Sequence, residues 1–309
     1  MNASQPRVFR ARRTVLAVPG SSERFIEKSR GLPVDALFLD LEDAVAPAAK
    51  VDARAQIVAA LKQDGWQAPT ITVRVNDWDT AWTTADVLEV VGGAGAHIDA
   101  IVLPKVRSAE QVIALDMVLS QAEAAAGLPV GKIGLEVQIE EAQGLQRVDE
   151  IAAASPRLET LIFGPGDFMA SMGMRGLSVG SQIAGYDADA FHYVLSRILV
   201  AARANSLQAI DGPYVSIRDL PGFRKSAAKS AALGYDGKWV VHPSQVAAGN
   251  ELFTPDATQV ERAERIVDAY SKATDALGGA VGAIVVDDEM VDEAGLKVAQ
   301  AILAKAGRS

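Results

Sequence analysis

The chain contains no cysteine. Disulfides, thiolate nucleophiles and zinc–thiolate sites are therefore excluded, and any metal must be held by oxygen or by one of the three histidines. Long hydrophobic runs are missing too: charge interrupts the apolar stretches within about ten residues, well short of the ~20 needed to cross a bilayer. The opening MNASQPRVFRARR has no apolar core or cleavage site behind it. It reads as a plain tail rather than a transit or signal peptide, and the expected location is the cytoplasm, with no membrane partner. Positive charge is in deficit, 30 Lys and Arg against 39 Asp and Glu for a net charge of −9. That balance repels nucleic acid on average, although a local cluster can still attract a small anion. No G-x-G-x-x-G turn follows the first strand candidate, and no solenoid-like repeat or low-complexity tract is present.

What is there is a well-mixed sequence of 309 residues, 49% hydrophobic and 22% charged, with ample material for a large core. Short β-branched or aliphatic runs alternate with longer stretches of helical period. The strand candidates are RRTVLAVPG, ALFLDLED, TITVRVND, AIVLPKV, KIGLEVQIE, TLIFGPGD, QAIDGPY and GKWVVHP. Eight β-then-α units predict a (β/α)₈ TIM barrel over residues 1–254. The rival, a doubly wound sheet, would show a Gly-rich first turn and fewer strands in unbroken alternation. From residue 255 to 309 the alternation stops. A helix over 256–277, a Gly-rich bend and a last amphipathic helix are expected there, forming a helical arm or lid.

Polar residues gather at the C-terminal ends of the strand candidates: Asp40, Glu42, Asp43, Arg74, Asn76, Lys105, Glu140, Asp167, Asp211 and His242. In a (β/α)₈ barrel these ends converge on one mouth. For any single residue, helix capping or a rim salt bridge explains the charge as well as catalysis does; the mixture as a whole is what a charged substrate and a metal require. Glu140 and Asp167, on adjacent strands, are candidate ligands for a hard cation, Mg²⁺ or else Mn²⁺, completed by water and substrate oxygens. The alternative is a pair of solvated acids. By period-two alternation Glu136 shares the face of Glu140, whereas Glu141 points away. Arg74 is a candidate for holding a carboxylate or an enolate oxyanion, or for pairing with Glu42 or Asp43. Lys105 and His242 are placed as supporting rim residues, and His97 and His192 as structural or exposed. Ser21 and Ser22 open the first helix, where capping is the default and phosphate attraction the alternative, with Lys28 a turn further on.

Taken together, RRTVLAVPGSSERFIEKSRGLP, FLDLEDAVAP, VRVNDWDT, LPKV, IEEAQGL, FGPGDFMASMGM, QAIDGPY, SAALGYDGKWVVHPSQV and DDEMVDEAGLKVAQ resemble the citrate lyase beta-subunit-like family of CoA-ester lyases, in particular its malyl-CoA lyase branch. The resemblance implies a (β/α)₈ barrel assembled as trimers or dimers of trimers, in which a C-terminal arm covers the neighbouring subunit's site. It puts the metal ligands on Glu140 and Asp167, the enolate-contacting arginine on Arg74 and the acid/base carboxylate on Asp292. Asp292 on its own reads as an ordinary helix N-terminal residue. Where some malyl-CoA lyases carry an arginine after PGS for CoA phosphates, this chain has Ser22; Lys28 matches a basic residue of the family, and Arg24 lies beside it.

The implied reaction is reversible, Mg²⁺-dependent cleavage of L-malyl-CoA or β-methylmalyl-CoA into glyoxylate and acetyl- or propionyl-CoA. CoA would enter as part of the substrate, and an acyl-CoA and a 2-oxo acid would be the small-molecule partners. Citramalyl-CoA lyase is an alternative because these substrates differ by a methyl group; a malyl-CoA thioesterase, directing water at the same thioester, and a citrate lyase beta subunit, acting on a carrier-protein thioester, are the others.

Overall fold

The computed structural model describes residues 8–176, 178–180, 183, 185–186, 188–276 and 282–307. The chain divides into two compact units, Met1–Phe253 and Thr254–Ser309.

The first unit is a (β/α)₈ TIM barrel. Its strands are β1 (Thr14–Pro19), β2 (Ala36–Asp40), β3 (Thr70–Arg74), β4 (Ala100–Leu103), β5 (Gly134–Ile139), β6 (Leu158–Phe163), β7 (Gln208–Asp211) and β8 (Gly237–Val240). All are parallel and pair in sequence order, and β8 closes on β1. Helices cover the outside, so all five residues of β2 and all six of β5 are buried, as expected of a parallel sheet enclosed on both faces. The pleat sorts them. Leu37 and Leu39 join the large core between sheet and helices, whereas Phe38 joins Val15, Ala36, Val102, Ile162, Ile210 and Trp239 in a separate apolar layer inside the barrel.

Polar chemistry lies on either side of that inner layer. At the N-terminal ends of the strands the fully buried Arg12 donates to Glu136 Oε1 at 2.8 Å and Gln208 Oε1 at 2.6 Å, and also pairs with Glu159. Burial pushes the Glu136 carboxyl above its ordinary value even with the Arg12 charge beside it. Glu159 reaches this position because the register slips between β5 and β6: Leu135 pairs Leu158 and Glu136 pairs Thr160. The skipped residue is left unpaired, as in a bulge. Gly134 is required below it, since a Cβ would overlap the Glu159 carboxylate. Gly237 likewise leaves room for the Arg12 carbonyl.

The strands end earlier than the sequence runs suggest. Glu42, Asn76, Lys105, Glu140, Asp167 and His242 all follow a strand rather than lie in it. Asp211 does end β7, but Ile210 takes the inward position, and Asp211 pairs with Lys238 at 2.6 Å beside a small cavity lined in part by Phe163 and Leu195. It is not one of the residues converging on the mouth.

The second unit packs a helix (Ala257–Ala276) and a second helix (Glu293–Lys305) with an antiparallel hairpin, β9 (Ala283–Val286) and β10 (Glu289–Asp292), around Ala263, Ile266, Val286, Val291 and Ala299. The hairpin replaces most of the expected Gly-rich bend. Its two-residue turn is Asp287-Asp288, with φ of 52° and 63°, the left-handed pair that a type I′ turn demands. Residue 277 of the expected helix and residues 278–281 of that bend lie outside the described residues.

Arg12→Ala would leave Glu136 buried without its paired cation and Glu159 with Arg10 alone, 3.1 Å away. A loss of about 3–5 kcal/mol in unfolding free energy is expected, measured by urea denaturation; a loss below ~1 kcal/mol would mean that water replaces the guanidinium.

Candidate active site

The inward side of β2 ends at Asp40. Its carboxylate turns the following loop by accepting the N–H groups of Glu42 (2.9 Å) and Ala44 (3.1 Å), while Lys50 Nζ donates to the carbonyls of Leu41 and Glu42 at 2.8 and 2.9 Å. Arg74, the inward residue ending β3, forks onto the same carboxylate: Nε to Oδ1 and Nη2 to Oδ2, both 2.7 Å. Its Nη1 lies 2.9 Å from Glu42 Oε2. The guanidinium rests on an aromatic pair, 5.4 Å from the Phe38 centroid and 5.6 Å from that of Trp239, so it is stacked as well as paired. Burial alone would raise the Asp40 pKa, but the Arg74 charge and the loop N–H groups more than offset it and hold the carboxyl below its ordinary value.

Lys105 follows β4 with φ 50°, a left-handed backbone that costs a non-glycine residue energy unless its surroundings enforce it. That conformation aims its N–H at Glu140 Oε1, 2.6 Å away, while its side chain pairs with Glu42, with Asp43 at 3.2 Å and with Asp167 at 3.8 Å. Glu140, one residue beyond β5, is 2% exposed. Asp167 is more open and lies in the first turn of the short helix Pro165–Ser171 after β6. Gly164 joins that strand to that helix, and a Cβ there would overlap Glu140 Oε2.

Glu42, Asp43, Arg74, Lys105, Glu140 and Asp167 therefore come together at the mouth, joined by Asp40 and Gln138. Five carboxylates (Asp40, Glu42, Asp43, Glu140 and Asp167) face two cations (Arg74 and Lys105), a formal excess of three negative charges with every acid ionised. The excess has visible effects. Glu42 and Lys105 both hold a proton more tightly than in water, Glu42 through burial and Lys105 through its anionic neighbours, which outweigh its own desolvation. The Glu140 carboxyl is pushed up to about 8, first by burial, with Asp167 and Glu42 adding to the rise and Arg74 opposing it.

This donor set suits a hard divalent cation. It is all oxygen, anionic and half open, and among the described residues the Glu140 oxygens meet neutral N–H donors rather than an ion-pair partner. Among those residues no group of three or more His, Asp or Glu is arranged to hold a metal, so a cation here would take the rest of its ligands from water and substrate.

Other sequence candidates lie apart from these contacts. Asn76 is locked to Asp86 at 2.7 Å. His242 is exposed, and its Nδ1 accepts the Ser244 N–H at 3.2 Å, closing its own turn. His97 and His192 are exposed, and Glu141 turns to Arg107 at 3.4 Å. Ser22 caps the helix Glu23–Arg30 by accepting the Phe25 N–H at 3.4 Å, with Arg24 and Lys28 exposed on that helix. In the second unit, exposed Asp292 caps the last helix by accepting the Gly295 N–H at 3.0 Å.

Gln138 escapes sequence reasoning altogether, and Asp40, expected at the mouth, is not foreseen as a partner of Arg74, where Glu42 or Asp43 is expected and Glu42 is found beside it. Period-two alternation carries the signal for Gln138, since it puts Glu136, Gln138 and Glu140 in one inward column of β5.

The HpcH/HpaI aldolase/citrate lyase family profile matches residues 13–243. The L-malyl-CoA/beta-methylmalyl-CoA lyase of Cereibacter sphaeroides (strain ATCC 17029 / ATH 2.4.9) is 39% identical over 306 residues, covering 96% of this chain and 95% of that protein. A (3S)-malyl-CoA thioesterase of Cereibacter sphaeroides (strain KD131 / KCTC 12085) is 37% identical over 296 residues, covering 95% and 94%. Among solved structures, protein CitE from Mycobacterium tuberculosis in complex with magnesium, acetoacetate and coenzyme A aligns with a TM-score of 0.74 at 29% identity, covering 96% of this chain and 98% of that one.

Glu140 yields a pH prediction for the metal-free protein. Its folded pKa of about 8 lies above its ordinary 4.5, so its contribution to stability is fully present below the ordinary value and is lost as pH rises through about 8. In chelator, the melting temperature of the wild type relative to Glu140→Gln is expected to fall across that interval and level off above it. A difference that stays flat from pH 5 to 9 would rule out the raised carboxyl.

Proposed function

The chain belongs to the HpcH/HpaI aldolase/citrate lyase family, and from that premise we propose that it is a Mg²⁺-dependent carbon–carbon lyase for a short β-hydroxyacyl-CoA. The preferred substrate is L-malyl-CoA or β-methylmalyl-CoA, giving glyoxylate and acetyl- or propionyl-CoA, reversibly. The observation that carries this reading is the excess of carboxylate at the mouth, with Glu140 near an immobilised Arg74 and Asp167 near Glu140 and Lys105. Glu140 and Asp167 would hold the magnesium, which when bound supplies Lewis-acid polarisation of substrate oxygens. The magnesium and coenzyme A of the Mycobacterium tuberculosis CitE complex support magnesium and a CoA ester as what the site binds.

In cleavage the β-hydroxyl proton passes to solvent water, the freed O–H pair forms the C=O of glyoxylate, the Cα–Cβ bond breaks and its electron pair enters the thioester as an enolate. Arg74 donates to the developing enolate oxygen. Because Asp40 and the Phe38–Trp239 pair already fix the guanidinium, little reorganisation is left for the transition state. Asp292 then gives a proton to the enolate Cα, and in condensation it removes that proton. Lys105, with Glu42 and Asp43 as counter-charges, offers a local cation to an approaching substrate carboxylate. His242 supports the rim, and Arg24 and Lys28 are assigned to the CoA phosphates.

Asp292 belongs to the C-terminal unit, which in this reading serves as a lid over a neighbouring subunit's barrel in a homotrimer or homohexamer. No helix among the described residues is long and apolar enough to cross a membrane; placement in the cytoplasm rests on the sequence reading. A second reading, hydrolysis of malyl-CoA, is favoured by the similarity to the (3S)-malyl-CoA thioesterase.

Product analysis of purified protein with L-malyl-CoA tests the proposal. Glyoxylate plus acetyl-CoA, lost in chelator, is expected; malate plus free CoA would make the enzyme a thioesterase, and the absence of both would overturn the substrate. Asp292→Asn is expected to keep CoA-ester affinity while lowering kcat by about 10²–10⁴-fold. Near-normal turnover would remove Asp292 from the reaction.

A further inference from the structure

Gln138 sits in the inward column of β5 between Glu136 and Glu140, 1% exposed. Both ends of its amide are used: Nε2 donates to Glu140 Oε2 at 2.9 Å, and Oε1 accepts from Arg74 Nη1 at 3.4 Å. A guanidinium only donates, so the amide oxygen must face Arg74 and Nε2 faces Glu140. A carboxylate at this position has nothing to donate to Glu140, a lysine has nothing to accept from Arg74, and an aliphatic chain serves neither.

The opposite oxygen of Glu140 is held from another strand, by the Lys105 N–H at 2.6 Å on its left-handed backbone. Each oxygen thus receives one N–H, and the two donors come from β5 and from the loop after β4. Two donors on two oxygens fix the plane of the carboxylate. From the β6 side Gly164 presents backbone alone, with Glu140 Oε2 in the space a Cβ would fill. The remaining lone pairs are the ones left to meet a ligand.

We propose that Gln138 is a positioning residue: it fixes the plane of the Glu140 carboxylate and ties that group to Arg74, so that the cation-binding and enolate-binding halves of the mouth keep one spacing. This rests on the reading of Glu140 as a metal ligand and adds a residue to it.

The test is Mn²⁺ binding to Gln138→Leu and Gln138→Met, read by electron paramagnetic resonance in the absence of substrate. The methionine chain, unbranched and similar in length, provides a folded variant should leucine not pack; circular dichroism and thermal melting check the fold. The expected result is a Kd for Mn²⁺ raised about 10–100-fold over the wild type, with a fall in kcat and an unchanged KM for the acyl-CoA. A folded variant with wild-type Mn²⁺ affinity overturns the proposal, and so does a wild type that binds no Mn²⁺. Weakened Mn²⁺ binding in the variants, with no glyoxylate formed by the wild type, would leave the positioning role standing and the lyase reading fallen.

Discussion

The mouth of this barrel depends on one buried ion pair, the fork between Arg74 and Asp40. Both groups are removed from water, and desolvation of that kind is tolerated only when geometry and hydrogen bonding are good on every side. Here the carboxylate meets two guanidinium N–H groups at 2.7 Å and two loop N–H groups, while the guanidinium lies on two aromatic rings. The pair consumes the cation's charge, and that consumption shapes the rest. Once Asp40 neutralises Arg74, Lys105 is left to balance Glu42, Asp43, Glu140 and Asp167. The site is therefore anionic because its arginine is anchored, and an anionic pocket of carboxylates is what recruits a divalent ion.

Cations serve opposite ends of the barrel in different ways. Arg12 at the N-terminal ends of the strands is enclosed, with both acids and an amide bound to it, and this arrangement closes the barrel floor. Arg74 at the C-terminal ends has a half-open acidic rim next to it. Between them lies the apolar layer of Phe38, Ile162, Ile210 and Trp239. Charge is enclosed at one end and left open at the other, the division expected of a (β/α)₈ barrel whose C-terminal face is where an active site is built. Glycine marks the tight places at both ends, Gly134 and Gly237 at the floor and Gly164 at the mouth, each where a neighbouring group already fills the Cβ position.

Much of this is legible in the chain. Eight alternating units specify the barrel, because strand and helix periods differ and parallel strands need crossover helices. Period two puts Glu140 with Glu136 and turns Glu141 away, and the side-chain partners of all three agree with it. What stays hidden depends on register and local backbone. Asp211 looks like a mouth residue because it ends a strand run, but its neighbour Ile210 holds the inward position. The β9–β10 hairpin reads as a bend because its strands have four residues each and its turn is Asp-Asp rather than the stronger Asn-Gly signal. Lys105 gives no sequence sign of its left-handed backbone, which only tertiary contacts enforce. Asp292 reads as a helix cap, and as a cap it is found; its chemical assignment comes from resemblance alone.

A crystal structure of the chain soaked with Mn²⁺ and glyoxylate, phased to show anomalous scattering, tests the acidic mouth as a cation site most directly. An anomalous peak within bonding distance of one oxygen from Glu140 and one from Asp167, with glyoxylate on the same ion, is the expected result. A peak elsewhere, or none at saturating Mn²⁺, would show that the carboxylates at the mouth are held together by Arg74 and Lys105 for structural reasons alone.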